Sequence, residues 1–398
     1  MLIDLFHRRV LCLLLVLLFT PFLSRALPDI MRIGLFYGEK VPELEFSVNE
    51  GRYRVYAAGK PFGVFTAGDG LKCEHSEAGK MRIQGSSGKS LLCEKVRIER
   101  SSPEGNFRLK KTHPYPADRL YPGELTVQAK QERIQVINRV AMEKYLSGVV
   151  LAEAGKDHHP EFYKVQAVIC RTYALHNLRK FKEQGIHLCD KVACQVYEGM
   201  NRVEPRIDSA VKATEGIILV DEEIRLITAA YHSNSGGRTA ASEDAWSKAL
   251  PYLRPVDDPF SKGGKHYRWK KVLPKKEWLN YLEREFAYPV EKPWYKERAT
   301  SFCPKERRRD LLPFRDSVSL QKIRRDLNLN STFFHISERN DSVVFRGKGF
   351  GHGVGLSQEG AMRMAELGIP YDEIIHYYYQ GVHLVKIKAL DFFRNGEG

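Results

Sequence analysis

Between Arg32 and about Val140, apolar and polar side chains alternate one by one in runs such as MRIGLFYG, RYRVYAAGKP, KMRIQGSSGKS, KVRIER and ELTVQAKQERIQVINRV. A period of two puts every second side chain on one face of an extended chain. With Gly, Asn and Ser breaking the runs, the stretch predicts short antiparallel strands. The period changes at AMEKYLSGVVLAEAG, where Met142, Leu146, Val149 and Val150 fall at helical spacing and Gly155 supplies the stop. A second helix is predicted from Pro160, well placed at a first helical position, with Phe162, Val165, Val168, Ile169 and Leu175 on its buried side. Glu153 therefore falls where two helices meet.

After Cys194 the pattern predicts a short helix around Asp208 to Ala213 and a hairpin in GIILVDEEIRLITAAYHS, which ends in His232-Ser233-Asn234-Ser235-Gly236-Gly237. From Phe260 to about Leu329 the chain is heavily charged, with amphipathic helices expected in KKEWLNYLEREF and SLQKIRRDLNL. A strand SVVFRG then enters the glycine-rich GKGFGHGVGLSQEG, followed by helices in QEGAMRMAELG and YDEIIHYYYQG. Helices and strands mix without a βαβ rhythm, so the fold class is α+β, a β-rich amino-terminal region packed on a mixed helix and antiparallel-strand domain. The divisions are 1–26, 27–137 and 138–398, the last with the charged insert at about 260–329.

The first 26 residues add a targeting signal. Arg8 and Arg9 precede an apolar run from Val10 to Leu23, and Ser24-Arg25-Ala26 resembles a small-residue cleavage site. This reads as export, with a retained amino-terminal anchor as the alternative. The 398 residues carry a formal charge of +14; removing Arg8, Arg9, Arg25 and Asp4 with the leader takes away +2 and leaves +12. Such a surface suits a polyanion. Export makes a cell-wall polymer the expected partner rather than nucleic acid. Six scattered cysteines beyond the leader are too few for a disulfide-built scaffold.

Three patches combine an ionisable or polar group with small neighbours at the end of a regular element: LAEAG with Glu153, YHSNSGG with His232, and GFGHGVGLSQEG with His352 and Gln358. Each alone also has a plain structural explanation: a capping or ion-paired glutamate, a core histidine, a turn. No HExxH or GxSxG motif occurs, and the glycine run fits neither a phosphate loop nor a dinucleotide fold. Cys170 lies on an apolar helix face, where free thiols usually pack. The glycines leave room for a ligand to approach.

The ordered segments YLSGVVLAEAG, VQAVICRTYAL, CQVYEG, YHSNSGGRT, SEDAW, PYLRPVDDP, GKGFGHGVGLSQEGAMRMAELG and IIHYYYQG resemble the sporulation stage II protein D / amidase enhancer family (SpoIID/LytB). The likeness spans roughly Asn138 to Ile387. It implies a lytic transglycosylase acting on peptidoglycan glycan strands, including strands stripped of stem peptides, with Glu153 as catalytic acid. It also implies the alternative of a non-catalytic activator of a wall amidase, and hence glycan strands and an amidase as partners. The expected location is the periplasm or wall of a bacterium, with the membrane touched only through an uncleaved leader.

Arg171, His232, Ser233, Ser235, His352 and Gln358 are the expected substrate-binding residues, Arg171 contacting substrate or the loop. The family commonly has Met-Pro after the glutamate, where this chain has Ala154-Gly155. It often holds zinc in a Cys/His cluster. Here Cys189 and Cys194 remain with His187 nearby, but Ala193 stands where a histidine usually precedes Cys-Gln, so no cofactor is expected, with zinc at Cys189 and Cys194 as the alternative. A Cys189–Cys194 disulfide and two free thiols both stay open.

Overall fold

A computed structural model of the chain describes residues 29–76, 79–200, 204–246, 248–312 and 318–388. The leader lies outside the described residues. Among those described, no helix is long and apolar enough to cross a membrane.

The alternating segments form two sheets. One has seven strands in the order Leu188–Cys189, Ile30–Leu35, Arg133–Ala141, Glu124–Lys130, Lys95–Arg100, Tyr53–Ala57, Lys60–Phe65. All its pairs are antiparallel except Ile30–Leu35 with Leu188–Cys189. The other has six, in the order Ala117–Pro122, Asn106–Lys111, Glu43–Glu50, Gly70–Ser76, Lys80–Gly85, Ser90–Cys93. The alternation is visible as burial: in Lys80–Gly85 every second residue is buried. Phe46 and Phe107 of the six-stranded sheet meet Tyr53 of the seven-stranded one, each with ring centroids 6.0 Å apart.

Strand Arg133–Ala141 runs without a loop into helix α1 (Met142–Ala154). The helix ends at Gly155, whose φ of 78° few other residues adopt. Helix α2 (Pro160–His176) begins with His159 accepting the Glu161 N–H and Pro160 in its first turn. It is the central element. Against it pack α1, α3 (Pro205–Ala213), strand Ile217–Val220 and the two late helices. The segment read as a hairpin is opened out: Ile217–Val220 pairs antiparallel with His383–Lys386, while Tyr231–His232 pairs parallel with Leu356–Ser357. A tight turn remains of the expected hairpin, with a bridge between Val220 and Leu226 and the Asp221 N–H bonded to Arg225 O at 2.9 Å.

Short α4 (Ser242–Ala245) precedes the charged insert. The insert builds a core of its own from α5 (Lys275–Phe286), α6 (Pro293–Thr300), α7 (Leu320–Asp326) and a three-stranded sheet, Arg268–Pro274, Ser342–Lys348, Phe334–Arg339. Trp278, Leu282, Ile323, Val343 and Phe345 are fully buried in it. Strand Ser342–Lys348 delivers the chain into the glycine segment, and α8 (Gln358–Glu366) and α9 (Tyr371–Tyr378) return it to the central core.

Candidate active site

Glu153 sits in the last turn of α1, half-buried. Its Oε1 accepts the backbone N–H of Val196 at 2.8 Å, and the Tyr231 hydroxyl donates to the same carboxylate. Burial pushes the carboxyl above its ordinary value; the two donors pull the other way and are smaller. No cation pairs with Glu153 among the described residues.

The loop carrying Val196 is fixed from the sequence upward. Gly148 presents a bare backbone on α1, where a Cβ would stand 2.6 Å from the Tyr197 ring and 2.8 Å from Gly199 O. The absence of that atom lets the loop lie on the helix one turn before Glu153. Tyr197 then donates to Asn138 at 3.1 Å, and Asn138 is itself buried between Pro122 O and Glu124 O.

Behind the carboxyl lies a polar cluster. Gln195 accepts from Tyr145 at 3.2 Å and donates to Cys170 O at 3.3 Å, and it also meets Tyr231. Gln166, fully buried on the apolar face of α2, donates to the Cys170 sulfur at 3.2 Å. Burial, and then the nearby Glu153 charge, push the Cys170 thiol up to about 12, so it stays protonated and is no nucleophile.

Gln358, at the start of α8, donates to the backbone carbonyl of Glu153 at 3.3 Å and to Gln166 at 3.4 Å. It ties the end of α1 to α2. His352 is partly buried; its Nδ1 accepts the Val354 N–H at 3.0 Å and its ring donates to the Tyr231 backbone carbonyl. His232 bonds Val354 O through Nδ1 at 3.1 Å, and its ring centroid lies 5.6 Å from that of His352. Burial pushes both imidazoles down, His352 to about 4, so both are neutral. Ser233 is half-buried, and its carbonyl accepts the Glu359 N–H. Tyr231 thus connects Glu153 on one side with His352 on the other.

Two expected binding residues stand elsewhere. Arg171 is 0% exposed and its guanidinium is fully engaged: Nε and Nη2 hold the Glu143 carboxylate at 2.9 and 2.5 Å, and Nη1 reaches Ile217 O at 3.0 Å. It locks α1, α2 and the strand Ile217–Val220 together and, with no exposed surface, presents no donor to a sugar. Ser235 is also 0% exposed, its hydroxyl bonded to Asp258 at 2.7 Å and Ser261 at 2.9 Å. It belongs to the core.

The glycines differ from expectation as well. A Cβ at Gly355 would lie 2.2 Å from Ala230 O, at Gly351 2.7 Å from the His232 Cβ, and at Gly353 2.7 Å from the Arg307 guanidinium. Protein, not ligand, fills the space they leave.

Cys189 and Cys194 are free thiols with sulfurs 2.8 Å apart. His187 already accepts the Arg32 N–H through Nδ1, and no group of three or more metal-binding side chains occurs among the described residues. Two thiols alone do not fit the tetrahedral set a zinc ion takes. Two cavities, of about 530 and 500 Å³, are lined by other residues, among them Lys40 and Glu132 in the first and Trp269 and Phe333 in the second.

Residues that the sequence patterns left out are Tyr231, Gln195 and Gln166. A glutamine on the buried face of α2 was the signal available for the last.

A family model described as Stage II sporulation protein matches residues 130–220, which include Glu153, Gln166 and Gln195. The chain is 27% identical over 288 residues to stage II sporulation protein D of Bacillus subtilis (strain 168), covering 69% of this chain and 82% of that protein. It is 29% identical over 263 residues to the protein of the same name from Bacillus amyloliquefaciens, covering 62% and 75%. It is also 28% identical over 295 residues to the amidase enhancer of Bacillus subtilis (strain 168), covering 60% of this chain and 40% of the relative.

Proposed function

Because the chain belongs to the stage II sporulation protein D / amidase enhancer family (SpoIID/LytB), we propose that it is a lytic transglycosylase cutting the glycan strands of bacterial peptidoglycan. The observation that carries this reading is Glu153: a half-buried carboxyl raised by burial, held by neutral donors and unpaired with any cation among the described residues. Glycoside hydrolysis ordinarily needs two carboxylates. A transglycosylase needs one, because the attacking hydroxyl is supplied by the sugar itself.

The protonated Glu153 gives its proton to the bridging oxygen as the bond to the anomeric carbon breaks. The carboxylate so formed takes the proton of the sugar's own 6-hydroxyl, whose oxygen closes onto the anomeric carbon and leaves an anhydro end. Tethering makes this step intramolecular, which replaces the positioning of a water. The Val196 N–H and the Tyr231 hydroxyl stabilise the carboxylate between the two transfers, and burial keeps it basic enough to recover a proton. The chemistry asks for no metal. Such a protein works outside the membrane, in or against the wall.

Purified glycan strands incubated with the protein and read by mass spectrometry test the assignment. Release of anhydro-ended fragments by the native chain and none by Glu153→Gln, with wall retention unchanged, is the expected result; equal cleavage by both sinks it. The relative named amidase enhancer favours a second reading, activation of a wall amidase. In that case Glu153→Gln leaves stimulation of stem-peptide release by an added amidase intact.

A further inference from the structure

Arg307 comes from the charged insert, yet it is only 8% exposed. Its Nε donates to Arg238 O at 3.1 Å and its Nη2 to Ser235 O, while Nη1 is buried with no hydrogen-bond partner among the described residues. Its guanidinium lies over the Phe333 ring, 5.0 Å from the centroid. Two backbone carbonyls and a ring face are weak compensation for a buried charge, which is costly unless paired.

Its surroundings add more positive charge. Arg324 acts electrostatically on Arg307, His232 and His352, and makes its hydrogen bond to a backbone carbonyl, Asn330 O, at 3.2 Å. Among the described residues, Asp244 is the acid felt by Arg307; it forms no ion pair with it, and its own carboxyl is held up by burial and by Glu243.

A second orphan lies in the same cluster. His232 is 5% exposed, and its Nε2 is buried without a partner among the described residues. The tautomer is set by Nδ1 donating to Val354 O, which leaves Nε2 as an acceptor; a proton brought in by an acid group would make it a donor. The glycine corner makes room for both side chains, since a Cβ at Gly351 would strike His232 and one at Gly353 would strike Arg307. Trp246, 36% exposed, lies beside the cluster, its ring tilted at 49° and 5.4 Å from that of His352.

We infer that Arg307, Arg324 and His232 form a carboxylate-binding subsite beside Trp246, one residue of chain from the Tyr231 that touches Glu153. Its ligand is an acid group carried by the glycan, with Trp246 offering an aromatic face to the sugar that bears it. The inference rests on the chain binding glycan strands. It makes Arg307 a specificity determinant separate from the acid.

The test titrates the full-length protein with three glycans of matched length: strands with free lactyl carboxylates, the same strands with those carboxylates converted to methylamides, and strands bearing stem peptides. Native protein should bind the free-acid strands about ten- to a hundred-fold more tightly than the methylamides. Arg307→Gln should bind both alike, with Arg307→Lys between. Peptide-bearing strands identify the source: tight binding assigns the carboxylate to the peptide, binding like the methylamides assigns it to the lactyl group.

Equal binding of free and amidated strands by the native protein overturns the subsite and assigns the two orphan atoms to hydration, and it does so even if the variants fail to fold. Anhydro ends are scored separately. Discrimination without cleavage keeps the subsite and removes the transglycosylase; cleavage without discrimination does the reverse.

Discussion

Replacing Arg171 by methionine separates a structural cation from a substrate-binding one. The perturbation removes a fully buried guanidinium that grips the Glu143 carboxylate with two bonds and reaches the carbonyls of Ile217 and Val211 at 3.0 and 3.4 Å. Breaking a buried ion pair by removing one partner costs about 3–5 kcal/mol, because the other charge is left uncompensated. Here Glu143 retains 31% of its side-chain exposure, so water reaches it and the cost falls toward the lower end. Methionine restores part of the packing. The expected loss is about 3 kcal/mol, which at roughly 2–4 °C per kcal/mol lowers the apparent midpoint by about 6–12 °C.

Thermal unfolding by circular dichroism reads the loss, and glycan binding and cleavage at about 20 °C, well below the transition, read function. Both functional values should stay within about twofold of the parent. Arg171→Lys should fall between, since an ammonium cannot span the carboxylate and two carbonyls at once. Removing both partners in Arg171→Met/Glu143→Met should recover part of the loss, because no charge is left stranded. An Arg171→Met variant that melts within about 1 °C of the parent yet loses glycan binding would refute the structural assignment and return Arg171 to the substrate.

Other expectations concern the acid and its supports. Glu153 has a folded pKa above its ordinary 4.5, so its contribution to stability is complete below that value and declines as pH rises through the shifted one; Glu153→Gln should therefore melt higher than the parent at neutral pH and equally near pH 4, and a lower midpoint at neutral pH would contradict the burial argument. His352 has the opposite sign: with a folded value of about 4 against 6.5, it withdraws stability as pH falls through that window, and His352→Gln should flatten the decline. Gln358→Leu, which loses the bonds to Glu153 O and Gln166, should lower kcat about tenfold with KM little changed, a split that a loss of sugar contact would not give. Gly355→Ala should cost at least about 1–3 kcal/mol, whereas Gly368→Ala, at a similar φ of 83° but with open space around it, should cost about 1; equal effects would remove the close-packing explanation of the corner.

The local pattern carried the elements well, because a helix face or a strand alternation is written in neighbours. Met142, Leu146, Val149 and Gly155 predict α1 and its end, and the apolar company of Glu153 anticipates the direction in which its carboxyl is pushed. What the pattern could not carry is who stands opposite. Arg171 lies three residues after Val168 and four before Leu175, on the buried side of α2, but its partner Glu143 is 28 residues away. The same blindness made the glycines look like a wall for a ligand, since Ala230 and His232 approach them from more than a hundred residues upstream.

Arg307 is the extreme case. Among 63 lysines and arginines, in a stretch whose composition reads as a solvated surface, nothing local marks it as buried. Only the fold takes it out of water and leaves its Nη1 beside a second unpartnered donor-acceptor site on His232. A chain that could have placed any of several neutral side chains over Phe333 has instead kept a cation there at an energetic cost. That cost is offset if an acid group reaches the guanidinium, and the amidated glycan measures whether it does.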